Sequence, residues 1–80
     1  MIEKRAAQRH RVFKGGMITF DSSGIACTVR NISASGAAID LESPVALPQS
    51  FTLSIERDNF AQDCRPVWRN DKRVGLAFVR

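Results

Sequence analysis

The sequence predicts an all-β domain, and three observations predict it. Six short runs alternate apolar with polar residues or are rich in β-branched ones. Clusters of turn formers separate them, chiefly Asp21-Ser22-Ser23-Gly24, Arg57-Asp58-Asn59 and Asn70-Asp71-Lys72. No stretch beyond the first ten residues has helical periodicity. Strands at this spacing belong to a barrel or a sandwich.

Residues 1–11 are polar, without apolar periodicity, and read as an arm; residues 12–80 read as the β body. In residues 12–20, Val12, Ile18 and Phe20 share one parity. Gly15-Gly16 interrupts that run and points to a bulge or a close backbone approach. The turn cluster at 21–24 makes a hairpin with residues 25–31, where Cys27 and Val29 face one way and Thr28 and Arg30 the other. Residues 31–36 form a polar loop, and 37–41 a short strand of small and apolar residues. Residues 42–50 contain Pro44 and Pro48 and read as an irregular connection. Phe51-Thr52-Leu53-Ser54-Ile55 alternates cleanly. In residues 60–69, Cys64, Pro66 and Trp68 share a parity, which places Trp68 in the core; Pro66 demands an edge or a bulge. Val74, Leu76 and Phe78 point inward from the last strand.

Eighty residues, 44% apolar and 25% charged, suffice for one small domain with one core. No apolar run approaches the roughly 20 residues of a membrane span. The basic N-terminus has no apolar segment behind it, unlike a secretory signal. The expectation is a cytosolic protein, in which Cys27 and Cys64 are buried thiols. The charge is uneven. Lys4, Arg5, Arg9 and Arg11 face only Glu3 in the first eleven residues, so most of the net charge of +4 sits on the arm. A local basic arm suits an anionic partner. Nothing pairs a nucleophile with a base, so the chain is expected to bind rather than catalyse.

Two motifs carry the candidate chemistry. Arg5-Ala-Ala-Gln-Arg9 puts two guanidinium groups on one side of the arm, whether helical or extended. Guanidinium binds phosphate oxygens in pairs and stacks on flat bases. Asn31-Ile-Ser33-Ala-Ser-Gly36 offers an amide and a hydroxyl, side by side if the strand continues through Ser33, and these can read the edge of a base. Gly36 admits a positive φ or leaves space for a ligand. Each motif has a plainer reading, as solvated charges or as turn chemistry.

In this order on a small β body, the two motifs resemble the signatures of the PilZ domain family, R-x-x-x-R and [D/N]-x-S-x-x-G. Val67-Trp68-Arg69 and Val74-Gly75-Leu76-Ala77-Phe78 are similar to that family's last two strands. The resemblance covers essentially the whole chain. It implies a six-stranded antiparallel β-barrel and a bacterial receptor for cyclic di-GMP, with no further cofactor. Arg5 and Arg9 would lie over the ligand, Asn31 and Ser33 would hydrogen-bond it from the barrel, and Gly36 would keep that surface open. A flexible arm would order around the ligand and so control a protein partner. Many members carry a C-terminal helix, which this sequence, ending at Arg80, does not.

Arg11 and Arg30 flank the motifs as secondary candidates for phosphate contact. Asp40 is in reach of an arginine of the empty arm; His10 receives no role. Two other functions compete. A protein-interaction module with the same fold would bind its partner equally with and without nucleotide. A single-strand-binding barrel would need aromatics on an outer face.

Overall fold

The structure, a computed structural model, describes residues 10–79. The chain forms six strands: β1 (His10–Phe20), β2 (Ser23–Ile32), β3 (Gly36–Leu41), β4 (Phe51–Ile55), β5 (Phe60–Asn70) and β6 (Arg73–Phe78). They close into an antiparallel barrel in the order β1-β2-β3-β6-β5-β4. The all-β expectation and the six strands therefore hold. Among the described residues the only helical piece is a 3-10 turn, Glu56–Asp58, and no helix is long and apolar enough to cross a membrane.

Alternation sorts the side chains. Phe51, Leu53 and Ile55 are buried while Thr52 and Ser54 are half-buried. Ile18, Val29, Ile39 and Val74 join them from the neighbouring strands, with no exposure at all. The Asp21-Ser22 corner has positive φ at both residues, the geometry that matches strand twist in a two-residue hairpin. The connection at 42–50 is irregular, as its prolines demand, and its Val45 and Leu47 pack against the core. Arg69, on an inward parity at the end of β5, donates to the carbonyls of Val45 and Asp71.

Two expectations need correction, the start of β1 and the place of Trp68. β1 starts at His10 rather than at residue 12, so His10 and Arg11 pair with Ile32 and Asn31. β1 carries its bulge just before the glycine pair, where Val12 and Phe13 together oppose Arg30. Of the two alternatives at the glycine pair, the close approach holds at Gly16: a Cβ there would sit 3.2 Å from the Ser54 carbonyl oxygen. Trp68 is not in the core. Pro66 pairs with Leu76 and Trp68 with Gly75, so Val67 is an extra residue and parity reverses behind it. Trp68 lies on the outer surface, 44% exposed, with its indole over Gly75. The bulge beside Pro66 is the one its missing N–H led us to expect.

Cys27 and Cys64 are buried free thiols. Burial, with the neighbouring Cys64 adding to it, pushes the Cys27 thiol up to about 11. Burial does the same at Cys64, against a backbone hydrogen bond that lowers it.

Two predictions follow from the packing. A Cβ at Gly36 would lie 2.1 Å from the Leu76 carbonyl oxygen, whereas one at Gly15 would meet nothing within 4 Å. Gly36→Ala should therefore cost about 2 kcal/mol, or about 10 °C in Tm, while Gly15→Ala should gain about 0.5 kcal/mol; thermal melts read both. The thiols should resist a disulfide reagent at pH 8 in the native protein and react together in urea. Both folded pKa values lie above the unfolded one. Their contribution to stability is thus full below pH 9 and falls away as pH rises toward about 11.

Candidate functional site

Two bulges on neighbouring parts of the barrel build an outer face with unusual contents. Arg30 is the extra residue of β2 against β3: Val29 pairs with Ile39, and Asn31 with Ala38. Strict alternation would send Asn31 inward after Val29. The bulge turns it outward and sends Ile32 against the core instead. The Val67 bulge does the same for Trp68. The paired positions then align across five strands: Arg11, Asn31, Ala38, Gly75 and Trp68 form one row on one face.

The middle of that row is low. Ala38 contributes a methyl group and Gly75 nothing, and the indole of Trp68 fills the space a Cβ at Gly75 would need. The next row is Gly36, Ala77 and Arg65, equally low over two strands. A smooth shelf of small residues results, with Asn31 at one side and Trp68 at the other. From Asn31 to Trp68 the row takes three inter-strand steps, about 14 Å.

Asn31 is the unusual member. Its Oδ1 is buried and has no hydrogen-bond partner among the described residues. An acceptor in that state costs stability until something donates to it.

Ser33 behaves otherwise. β2 ends at Ile32, so the condition for a side-by-side amide and hydroxyl is not met. The Ser33 hydroxyl turns back into its own loop. It accepts from the N–H groups of Ser35 at 3.2 Å and Gly36 at 3.3 Å, and donates to the Gly36 carbonyl at 3.3 Å. The Ser33 N–H also donates to that carbonyl at 2.8 Å, and the Phe78 N–H donates to the Ser35 carbonyl at 2.9 Å. The loop is thus tied to itself and to the end of β6. Gly36 is not at positive φ. It is glycine because β3 runs against the Leu76 carbonyl too closely for any side chain.

The charged rim is cationic. Arg11 and Arg65 have no carboxylate partner among the described residues. Arg30 and Arg73 both bind Asp40, so the carboxylate proposed for the arm is already engaged by barrel residues. Chiefly through the hydrogen bonds from Arg73, and despite partial burial, the Asp40 carboxyl is held below its usual range. Arg5 and Arg9 lie outside the described residues.

Sequence reasoning missed Trp68 and Gly75 as members of this face. The signal was present in Pro66, which called for a bulge whose consequence is the parity change. A cavity of about 540 Å³ elsewhere, lined by Gly16, Met17, Cys27, Ser54 and Phe60 among others, shares no residue with this face.

The arrangement can hold a flat, anionic, hydrogen-bond-donating ligand. No curated protein sequence matches the chain. A family model described as the PilZ domain matches residues 3–80, a span that contains both motifs, the shelf and all six strands. Its members are binding domains rather than catalysts. The chain belongs to the PilZ domain family, generally a family of cyclic di-GMP receptors.

Proposed function

We propose that this domain is a bacterial, cytoplasmic receptor for cyclic di-GMP, which binds where the N-terminal arm meets the barrel. The observation that carries the reading is the buried, unpartnered Oδ1 of Asn31 beside the small-residue shelf. An acceptor without a partner selects a donor. Guanine offers donors on its N1 and N2 edge; adenine has none at those two positions. The exposed face of Trp68 offers a stacking surface at the other end of the row. The shelf between them lets a ligand lie against backbone.

Phosphates fall to the arginines. Arg5 and Arg9 supply forks from the arm, and Arg11 and Arg30 add charge from the barrel edge. Ser33 and Gly36 act by shaping the loop that holds Asn31. Ordering of the arm over the bound ligand would change the surface presented to a protein partner. No enzymatic step is proposed.

A second reading draws on one observation. Trp68 and Phe13 are aromatics exposed on the outer surface, which a single-strand-binding barrel needs. Tight, steeply salt-dependent binding of a fluorescent oligonucleotide, with no response to cyclic di-GMP, would favour it.

Isothermal titration with cyclic di-GMP tests the receptor reading. Wild-type protein should bind at micromolar affinity or tighter. Arg9→Ala should abolish binding while barely moving Tm. Asn31→Ala should weaken binding about tenfold yet leave the empty protein as stable or more so, because it removes a buried acceptor that nothing satisfies. A loss of stability with unchanged affinity would make Asn31 a structural residue. No heat and no chemical-shift change at saturating nucleotide would overturn the receptor reading.

A further inference from the structure

One cluster on the outer face takes no part in the row that reaches from Arg11 to Trp68. Asp40 stands two residues beyond Ala38 on β3, on the same face. Its carboxylate receives three hydrogen bonds from two arginines. Arg73, at the directly paired position of β6, donates Nε to Oδ1 at 2.6 Å and Nη2 to Oδ2 at 2.9 Å. Arg30, the bulge residue next to Asn31, donates a single Nη1 bond to Oδ2 at 3.1 Å. The Arg30 guanidinium also lies over the Phe13 ring, 5.3 Å from its centroid.

These two grips are unequal. Arg73 holds both carboxylate oxygens with a fork, the geometry that resists exchange. Arg30 holds one oxygen that Arg73 already occupies, through a side chain 41% exposed. Its departure would leave Asp40 still doubly bonded and still neutralised, so release is feasible and lowers affinity only about fivefold. Phe13 gives the guanidinium a second contact besides the carboxylate, so a released Arg30 would pivot on the ring.

We propose that Asp40 is a latch that sets affinity at this site: it holds Arg30 and Arg73 when the site is empty, and yields Arg30, but not Arg73, to a ligand phosphate. The inference rests on the receptor reading. Arg30 becomes a ligand contact only in the bound state. Arg73 is a positioning residue, which cancels the charge of a carboxylate that would otherwise repel the phosphates and compete for Arg30.

Titration calorimetry with cyclic di-GMP on the full chain tests this, with thermal melts confirming that each variant folds. Asp40→Asn should bind about fivefold tighter than wild type. Arg30→Ala should bind about tenfold weaker, and adding Asp40→Asn to it should give no gain. Arg73→Ala should weaken binding although Arg73 touches no ligand, and Asp40→Asn should restore it, which a merely structural role would not do. In the unmutated protein, saturating nucleotide should shift the Arg30 Nε–Hε resonance and leave that of Arg73 in place. Weaker or unchanged binding by Asp40→Asn, an equal gain in the Arg30→Ala background, or an unmoved Arg30 resonance would overturn the latch while leaving the receptor reading intact. Absence of any binding by wild type would overturn both.

Discussion

Two extra residues, Arg30 in β2 and Val67 in β5, determine what the outer face of this barrel contains. Side chains on a strand alternate with period two, so a position two beyond Val29 or Pro66 belongs to the interior. One inserted residue reverses that assignment for everything behind it. Asn31 and Trp68 come out; Ile32 goes in against the core, and Arg69 reaches over the end of the barrel to the Val45 carbonyl. Because pairing across β3 and β6 is regular, the two displaced side chains end on the same row. Neither bulge alone would produce a face with an amide at one side and an indole at the other.

The glycines serve the same face in different ways. Gly36 keeps β3 and β6 in contact at a point where the Leu76 carbonyl leaves no space for a Cβ. Gly75 accepts the indole of Trp68, which fixes how that ring lies against the sheet. The Ser33 hydroxyl holds the intervening loop with four hydrogen bonds. Residues that look like ligand contacts in the motif are here the means by which the backbone is brought into position. Their two roles are compatible, since a ligand lying on this shelf would touch what they shape.

Much of this was legible in the sequence. Clean alternation in β4, the hairpin corner at Asp21-Ser22 and the prolines of the connection follow from local chemistry, and each appears where expected. The family was legible too, because it depends on residue types at fixed spacing. What parity counting could not provide was the place where parity fails. Pro66 announced a bulge, because a residue without an N–H interrupts a ladder, but the direction of Trp68 depends on which neighbour is extruded. At Arg30 there was no such signal: the bulge is set by registers on both sides, with Val12 and Phe13 opposing it from β1. Arg73 and Asp40 are 33 residues apart in the chain, and only the pairing of β3 with β6 makes them partners.

The polar atoms of this face divide by whether the empty protein satisfies them. Asp40 receives three hydrogen bonds and the Ser33 hydroxyl takes part in four, so both are settled. Oδ1 of Asn31 is not, among the described residues. In a domain this small, with total stability on the order of 5–10 kcal/mol, a buried acceptor left unmet costs about 1–3 kcal/mol, a large fraction to carry for no structural return. An alanine or leucine at the same outward position would avoid the cost. On the receptor reading proposed above, the complex supplies the partner that the free protein lacks. A donor arriving with the ligand would recover the cost as binding free energy, and would do so only for ligands that present a donor at that point. Selectivity for a guanine edge would then arise from one unsatisfied carbonyl, set in place by one inserted arginine.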